Sequence, residues 1–426
     1  MLIKATIENF LSYDAPATFS LIAGKITKQH KEQVVRVGAV PVLRGAILYG
    51  PNASGKSNFL KAMSKLMEMV NGDSCRYALR CQFRLTDKPR PDMIWDVVYS
   101  RNDRIFRYCV KTDGIAVKEE KMTMLAEDEK EIFAREGLSV RYGDMIKDKS
   151  WYEGRTFEQS GFLVRTLKRD GLLERRDEID QAGVVADAID GLQNLIVLGY
   201  DPHPETQYLG SLLSADEFAK FLKRLMTVAD VGITDIVWHE CSRDEAIRIS
   251  DRHLSVTDTM HDCVRFVKDG QTLWMVTVQN GKIFVRELKF VHNGITMSLA
   301  EESDGTIRLF NLSVFLYNLM KQSTVWMVDE IDCHLHPCIA YNILKEFMTM
   351  PDAKSQLVVT AHDTSLMTHD IWRTDEVWFA EKRLDGSSDL YSLYQFTPRF
   401  DKRLEKGYRQ GLYGAMPHVG GEMLNG

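Results

Sequence analysis

The segment Gly50-Pro51-Asn52-Ala53-Ser54-Gly55-Lys56-Ser57 has the spacing of a loop that wraps a phosphate. Glycines let the backbone turn so that successive N–H groups face an anion, and a helix starting at the loop's end adds the positive end of its dipole. Lys56 would sit on the β- and γ-phosphates of a nucleotide, and the Ser57 hydroxyl would ligate Mg²⁺. Asn58 continues the run and is counted with Gly50–Ser57 among the nucleotide contacts. Downstream, TVWMV runs into Asp329-Glu330. An apolar strand ending in two carboxylates places one, Asp329, in the Mg²⁺ shell and the other, Glu330, where it can polarise an attacking water. About thirty residues later QLVVT ends in Ala361-His362-Asp363, so His362 can reach a γ-phosphate and report its presence. Ser303 and Gly305 open an apolar helix, and a hydroxyl with open backbone N–H groups at a helix N-terminus also suits a phosphate.

Each of these has a plainer reading. A glycine turn can precede any helix, two carboxylates can simply be solvated, and Ser303 would cap its helix in any case. The flanking elements and the order along the chain weigh against the plainer readings. GAILYG, residues 45–50, is a short apolar strand entering the loop. Phe59, Leu60, Met63, Leu66, Met67 and Val70 then fall on one helical face, with Asn71-Gly72 as a stop. Ile307, Phe310, Val314 and Tyr317 mark a helix after Ser303, widened by Leu309, Leu312 and Leu316. Strands are expected over 324–328 and 356–360 with a helix over 339–350 between them, and paired strands over 93–110 joined by an Asn-Asp turn.

The chain has 426 residues, 44% of them apolar, and a formal net charge of −6. That is long enough for one large or two ordinary domains and not a basic nucleic-acid coat. Seven scattered cysteines without a CxxC pair fit free thiols in a reducing cytoplasm. No run approaches the roughly 20 apolar residues of a membrane span, and the start lacks a signal peptide's apolar stretch, so a soluble, cytoplasmic protein without a membrane is expected. Charge clusters at 118–121, 127–131 and 174–178 change the texture of the middle of the chain. The expected architecture is therefore α/β: an N-terminal half over 1–111, an inserted, mainly helical lobe over 112–250, and a C-terminal half over 251–426. Ser214, with Glu217 three residues on, is expected to open a helix through a capping box.

GPNASGKS, SDGT, VWMVDEID, LHP and TAHD together resemble the ABC-type P-loop ATPases of the SMC, RecF and OLD group, whose head is a mixed sheet flanked by helices. Ile7 to Ser12 resembles the strand that opens those proteins. TDEVWFAEK (374–382), YSLYQF (391–396) and KGYRQGLYGAMP (406–417) resemble AAA-like ATPases of bacterial phage-defence operons, the RloA type, with the ATPase subunit of the PARIS system comparable. The resemblance covers roughly 1–110 and 270–420. It implies ATP and Mg²⁺ as cofactors, Glu330, His362 and Lys56 as the catalytic set, Asp329 and Ser57 as metal ligands, and Ser303 with Gly305 as the signature completing a neighbouring copy's site. It further implies Asp332 in a loop at the dimer interface and Gln82 as a Q-loop residue. Leu11 stands where many relatives carry arginine. Cys333, His334, His336 and Cys338 have types that resemble metal ligands, but His336 falls in the LHP loop and the others flank it, which speaks against a metal site there.

The resemblance implies an ATPase that dimerises, or forms a higher homo-oligomer, and regulates a separately encoded effector, a nuclease often of TOPRIM type, in anti-phage defence. The alternative is a RecF-like ATPase binding DNA, for which LVRTLKR (163–169), Arg399, Lys402, Arg403, Lys406 and Arg409 are the basic candidates. A nuclease within this chain would need a TOPRIM pattern that the residues after His362 do not carry.

Overall fold

The computed structural model describes residues 1–26, 30–72, 74–85, 91–147, 149, 158–168, 183–198, 206–229, 232–254, 261–350, 355–396 and 403–417. The chain divides into two compact units. The first holds Met1–Leu198, Ser323–Cys333 and Ala340–Gly426; the second holds Gly199–Gln322 and His334–Ile339.

The first unit contains a six-stranded sheet in the order 196–198, 325–328, 356–360, 45–49, 377–382, 388–392. The first five strands run parallel and the last is antiparallel. The strands Gly45–Tyr49, Val325–Val328 and Gln356–Thr360 are buried along their whole length, as expected for parallel strands covered on both faces. The helix Lys56–Gly72 leaves the end of strand 45–49, and every residue of the predicted apolar face is buried. The side chain of Gln356, wholly buried, accepts from Leu2 N (2.6 Å) and donates to the carbonyls of Leu2 (2.9 Å) and Leu43 (2.8 Å). It thereby ties the strand Leu2–Glu8 of a second sheet to the start of strand 356–360.

That second sheet is antiparallel and seven-stranded, in the order 139–142, 129–136, 117–125, 104–112, 93–101, 2–8, 17–20. Its first three strands correct the expected division at residue 112. The charge run 118–121 is not the mark of a new lobe. Lys118, Glu119 and Lys121 face solvent from a strand whose Val117, Glu120 and Met122 face inward. Glu120 is the one inward carboxylate. It accepts from Tyr108 and from the N–H groups of Leu163 and Val164, and Arg135, equally buried, stands 3.6 Å away. Burial pushes its pKa up, against the pull of these donors. The cluster 174–178 lies outside the described residues.

Among its described residues the second unit combines helices with a sheet. It has a five-stranded antiparallel sheet, 235–240, 282–292, 272–279 and 263–269 with 295–298 on the long strand 282–292. Helices Thr206–Leu213, Asp216–Val228, Arg243–His253 and Asp304–Lys321 accompany it. The expected capping box at Ser214 does not form. A helix ends at Leu213, so the Ser214 hydroxyl donates back to Gly210 O (3.1 Å), while Glu217 accepts from Tyr317 (3.2 Å) and Lys321 (2.9 Å) on the helix Asp304–Lys321. Among the described residues, no helix is long and apolar enough to cross a membrane.

Because three buried backbone groups depend on one amide, Gln356→Leu is expected to destabilise the first unit by about 3 kcal/mol, the sum of several unsatisfied buried partners. Urea unfolding of the variant against the wild-type chain measures it.

Candidate functional site

The parallel strands end together, and the loops after them hold most of the residues singled out above. Tyr49 leads into Gly50, whose φ of 151° and closeness to Ala380 suit only glycine: a Cβ there would lie 2.2 Å from Ala380 O. Gly55, at φ 116°, would bring a Cβ within 2.6 Å of Ser388 Oγ. Both positions let the loop close tightly on its neighbours, the Ala380 carbonyl at Gly50 and the Ser388 side chain at Gly55. Ala53 takes φ 62° without glycine's freedom, a strained conformation of the kind found in ligand-binding turns. Ser54 Oγ is buried and has no hydrogen-bond partner among the described residues. Lys56 is almost wholly buried, and its Nζ donates to the carbonyls of Gly50 (2.7 Å) and Pro51 (3.1 Å). Burial lowers its pKa, opposed by the carboxylates of Asp329, Glu330 and Asp332. Ser57, at the start of the helix, is half-buried. Asn58 is turned elsewhere than expected: its amide donates to Ser12 Oγ (2.8 Å) and braces the loop from the N-terminal side.

Asp329 and Glu330 follow strand 325–328. Thr360, at the end of the adjacent strand, holds both through one hydroxyl. It donates to Asp329 Oδ1 (2.5 Å) and accepts from the Glu330 N–H (2.8 Å). Glu330 sits at φ 49°, left-handed for a non-glycine residue. Such backbone persists only where its surroundings enforce it. The carboxylate stands 3.5 Å from His362 Nε2, and both side chains are exposed. Asp332 Oδ2 accepts from the N–H groups of His362 (2.8 Å) and Asp363 (2.6 Å), fixing the loop that carries the histidine. The structure thus brings Gly50–Ser57, Asp329, Glu330, Asp332 and His362 to one edge of the sheet. Gln82 donates to Asp113 O (2.7 Å) and is largely buried. Leu11 takes φ 48°, and its N–H binds Cys81 O.

Ser303 and Gly305 lie in the second unit. Ser303 Oγ accepts from Thr306 N (3.2 Å) and shares a hydrogen bond with Thr306 Oγ1 (3.0 Å), so it is the N-cap of the helix Asp304–Lys321. A Cβ on Gly305 would meet His334 O at 2.9 Å. In the same unit His336 Nδ1 accepts from Cys338 N (3.2 Å).

Sequence reasoning missed Thr360, which it treated as the last residue of a buried strand. The signal available was a lone hydroxyl directly before Ala361-His362-Asp363 in an otherwise apolar run.

Residues 247–368 match the protein-family model described as "AAA domain, putative AbiEii toxin, Type IV TA system". No curated protein matches the chain. Solved structures similar to it include the SMC head domain from Thermotoga maritima, at 13% identity and TM-score 0.40, covering 92% of this chain and 98% of that one. An Smc head bound to the C-terminal winged-helix domain of ScpA is similar at 12% identity and TM-score 0.44, with 96% and 99% covered. An Smc head with an extended coiled coil, bound to the C-terminal domain of ScpA derived from Pyrococcus furiosus, shares 12% identity at TM-score 0.39, with 96% and 98% covered.

A parallel sheet whose strand 45–49 runs through a G-x-x-x-x-G-K-S loop into a helix is the arrangement of a phosphate-loop nucleotide-binding fold. The family match is confined to residues 247–368, which are similar to an AAA domain. The site's chemistry fits a Mg²⁺-bound nucleotide: a buried ammonium, a buried unpartnered serine hydroxyl and a glycine cradle too tight for any Cβ face the carboxylates of Asp329 and Glu330.

Lys56→Ala is expected to weaken ATP binding by 10²-fold or more, because charge-assisted contacts of about 1.5–3 kcal/mol each are lost; fluorescent-nucleotide titration reads it, and near-normal affinity would remove the phosphate-loop assignment. Thr360→Val keeps the strand's shape and releases Asp329 and Glu330. ATP turnover should fall roughly 10–100-fold, the size of an ångström-scale misplacement, with ATP affinity changed less.

Proposed function

We propose that this chain is a Mg²⁺-dependent ATPase that dimerises around ATP and acts as the sensor and regulator of a separately encoded effector. The observation that carries the hydrolytic reading is Glu330, held in left-handed backbone by Thr360 and set 3.5 Å from His362 at the edge that also holds Lys56. Lys56 exchanges the Gly50 and Pro51 carbonyls for β- and γ-phosphate oxygens. Glu330 accepts a proton from the attacking water, and His362 meets the γ-phosphate, its loop fixed by Asp332. Ser57 and Asp329 would hold Mg²⁺, which would neutralise phosphate charge. Ser303 and Gly305 complete the site of a second copy.

The cellular reading is anti-phage defence from the cytoplasm, with a nuclease of TOPRIM type as the effector. Its support is the resemblance of the C-terminal strands and of KGYRQGLYGAMP to defence ATPases, together with a family description that names a putative toxin. The RecF-like alternative would use a basic surface for DNA. Of its candidates, Lys168 pairs with Asp190 and Arg409 with Glu405, while Arg169, Arg399 and Lys402 lie outside the described residues, so no observation favours it.

Glu330→Gln is expected to keep ATP binding and lose turnover by about 10²–10⁴-fold, the usual general-base contribution, and to accumulate an ATP-bound assembly on size exclusion. Wild-type turnover in that variant would remove Glu330 as the base.

The composite site is tested by mixing Lys56→Ala with Ser303→Glu. In a mixed dimer one site pairs an intact phosphate loop with an intact signature, so ATPase activity should partly return. Full activity of a monomer at every dilution would end the dimer reading.

A further inference from the structure

The segment that follows the last strand of the six-stranded sheet takes no part in the chemistry above, yet it contacts both the end of the strand entering the phosphate loop and the loop that carries His362. Tyr408, in the helix Leu404–Arg409, stacks on Phe379 with centroids 5.4 Å apart and planes 9° from parallel. Its ring lies 6.1 Å from that of Tyr49, the residue before Gly50. Its hydroxyl donates to Ala415 O (2.7 Å), and Ala415 N donates to Glu381 on the same strand as Phe379 (3.1 Å). Burial pushes the Tyr408 phenol up to about 12, with the Glu381 carboxylate adding to it. Tyr49, also buried, donates to Asp363 O (3.2 Å). The next residue, Arg409, donates through Nε (3.1 Å) and Nη2 (2.9 Å) to Thr364 Oγ1, whose own proton goes to Glu405 (3.3 Å). Arg409 and Glu405 close the triangle at 2.8 Å.

Thr364 is two residues from His362. The switch loop is therefore gripped at both ends: Asp332 holds the N–H groups of His362 and Asp363 in front, and the Arg409–Glu405 pair holds Thr364 behind. The magnitudes separate this grip from ordinary packing. With Arg409 64% and Glu405 35% exposed, the pair contributes little to folding, as solvent-exposed ion pairs do. The buried aromatic contacts of Tyr408 hold the segment in place, so what the pair chiefly determines is the position of one hydroxyl.

We propose that Leu404–Ala415 is a positioning clamp on the switch loop, in which Arg409 and Glu405 act through Thr364 to hold His362 for γ-phosphate contact, while Tyr408 links that hold to Tyr49 at the mouth of the phosphate loop. The proposal rests on the ATPase reading above and names how the same site is regulated. Arg409, Glu405, Thr364 and Tyr408 are positioning residues.

The test uses the full chain with Thr364→Val, which removes the hydroxyl at constant shape, and Thr364→Ser, which keeps it. Expected for Thr364→Val are an ATP affinity within about twofold of wild type and a kcat lowered some three- to tenfold, the scale of one or two lost hydrogen bonds. Thr364→Ser should turn over like wild type. Arg409→Ala should show the same loss and add little in combination with Thr364→Val, as residues of one network do. Hydrogen exchange gives a readout independent of turnover: amides of 404–411 should exchange more slowly with ATP than with ADP, and Thr364→Val should erase that difference. Wild-type kcat and an intact nucleotide effect in Thr364→Val would overturn the clamp. So would a joint loss of thermal stability and ATP affinity that serine fails to restore, the mark of packing alone. If the wild-type chain binds ATP without hydrolysing it, the ATPase reading falls and the exchange experiment alone decides the clamp.

Discussion

The register of three buried parallel strands is the constraint on which the site depends. Val328 pairs with Val359, Thr360 with Leu48, and Tyr49 with Phe379. Because of that alignment Asp329, His362 and Gly50 leave the sheet at one edge, where ligands of open parallel sheets bind. Strands buried on both faces carry no in–out alternation to choose a register, and a slip of one residue would turn every side chain over. Here polar residues at the ends make the choice. Gln356 begins its strand and its side chain finds partners at Leu2 and Leu43; Thr360 ends it and its hydroxyl finds partners at Asp329 and Glu330. Both are wholly buried, so a slip would leave their hydrogen-bonding groups unsatisfied at a cost of about 1–3 kcal/mol each.

The same register lets the site hold groups that would be unfavourable elsewhere. A buried ammonium is costly unless hydrogen-bonded, and Lys56 is held by the carbonyls of its own loop with three carboxylates near enough to oppose its loss of charge. Left-handed backbone at Ala53 and Glu330 adds strain, of order 1–3 kcal/mol each. A phosphate would offer Lys56 a better acceptor than a carbonyl.

The phosphate loop, its helix, the strands before Asp329 and His362, and the helix after Ser303 were all legible in the sequence, because each combines a local period with a local chemical signal. The antiparallel strands over 117–142 were not. Their solvent faces carry lysine and glutamate in runs that resemble a surface lobe, and the inward members that give the strand away include Glu120, a carboxylate satisfied by partners some forty residues distant. The Ser214 cap failed for a related reason. A capping box is defined over four residues, but Glu217 is claimed by Tyr317 and Lys321 a hundred residues on. The roles of Thr360 and Gln356 could not be read likewise, since they arise in the pairing of strands far apart in the chain; the sequence shows no more than a hydroxyl before Ala361 and an amide at the strand's start.

Ser303 shows how a structural role and a functional one occupy the same atoms. Its hydroxyl accepts from Thr306 N and its carbonyl from Ile307 N. That satisfies the third and fourth N–H groups of the helix and leaves those of Asp304 and Gly305, the first two, without acceptors in the helix. Gly305 has its own structural reason, the approach of His334 O. A helix start built in this way is well capped and still presents two donors and a dipole to an anion. The capping geometry and the proposed contact with a second copy's nucleotide are therefore compatible. The cap fixes the direction of the helix, and that direction is what a γ-phosphate would meet.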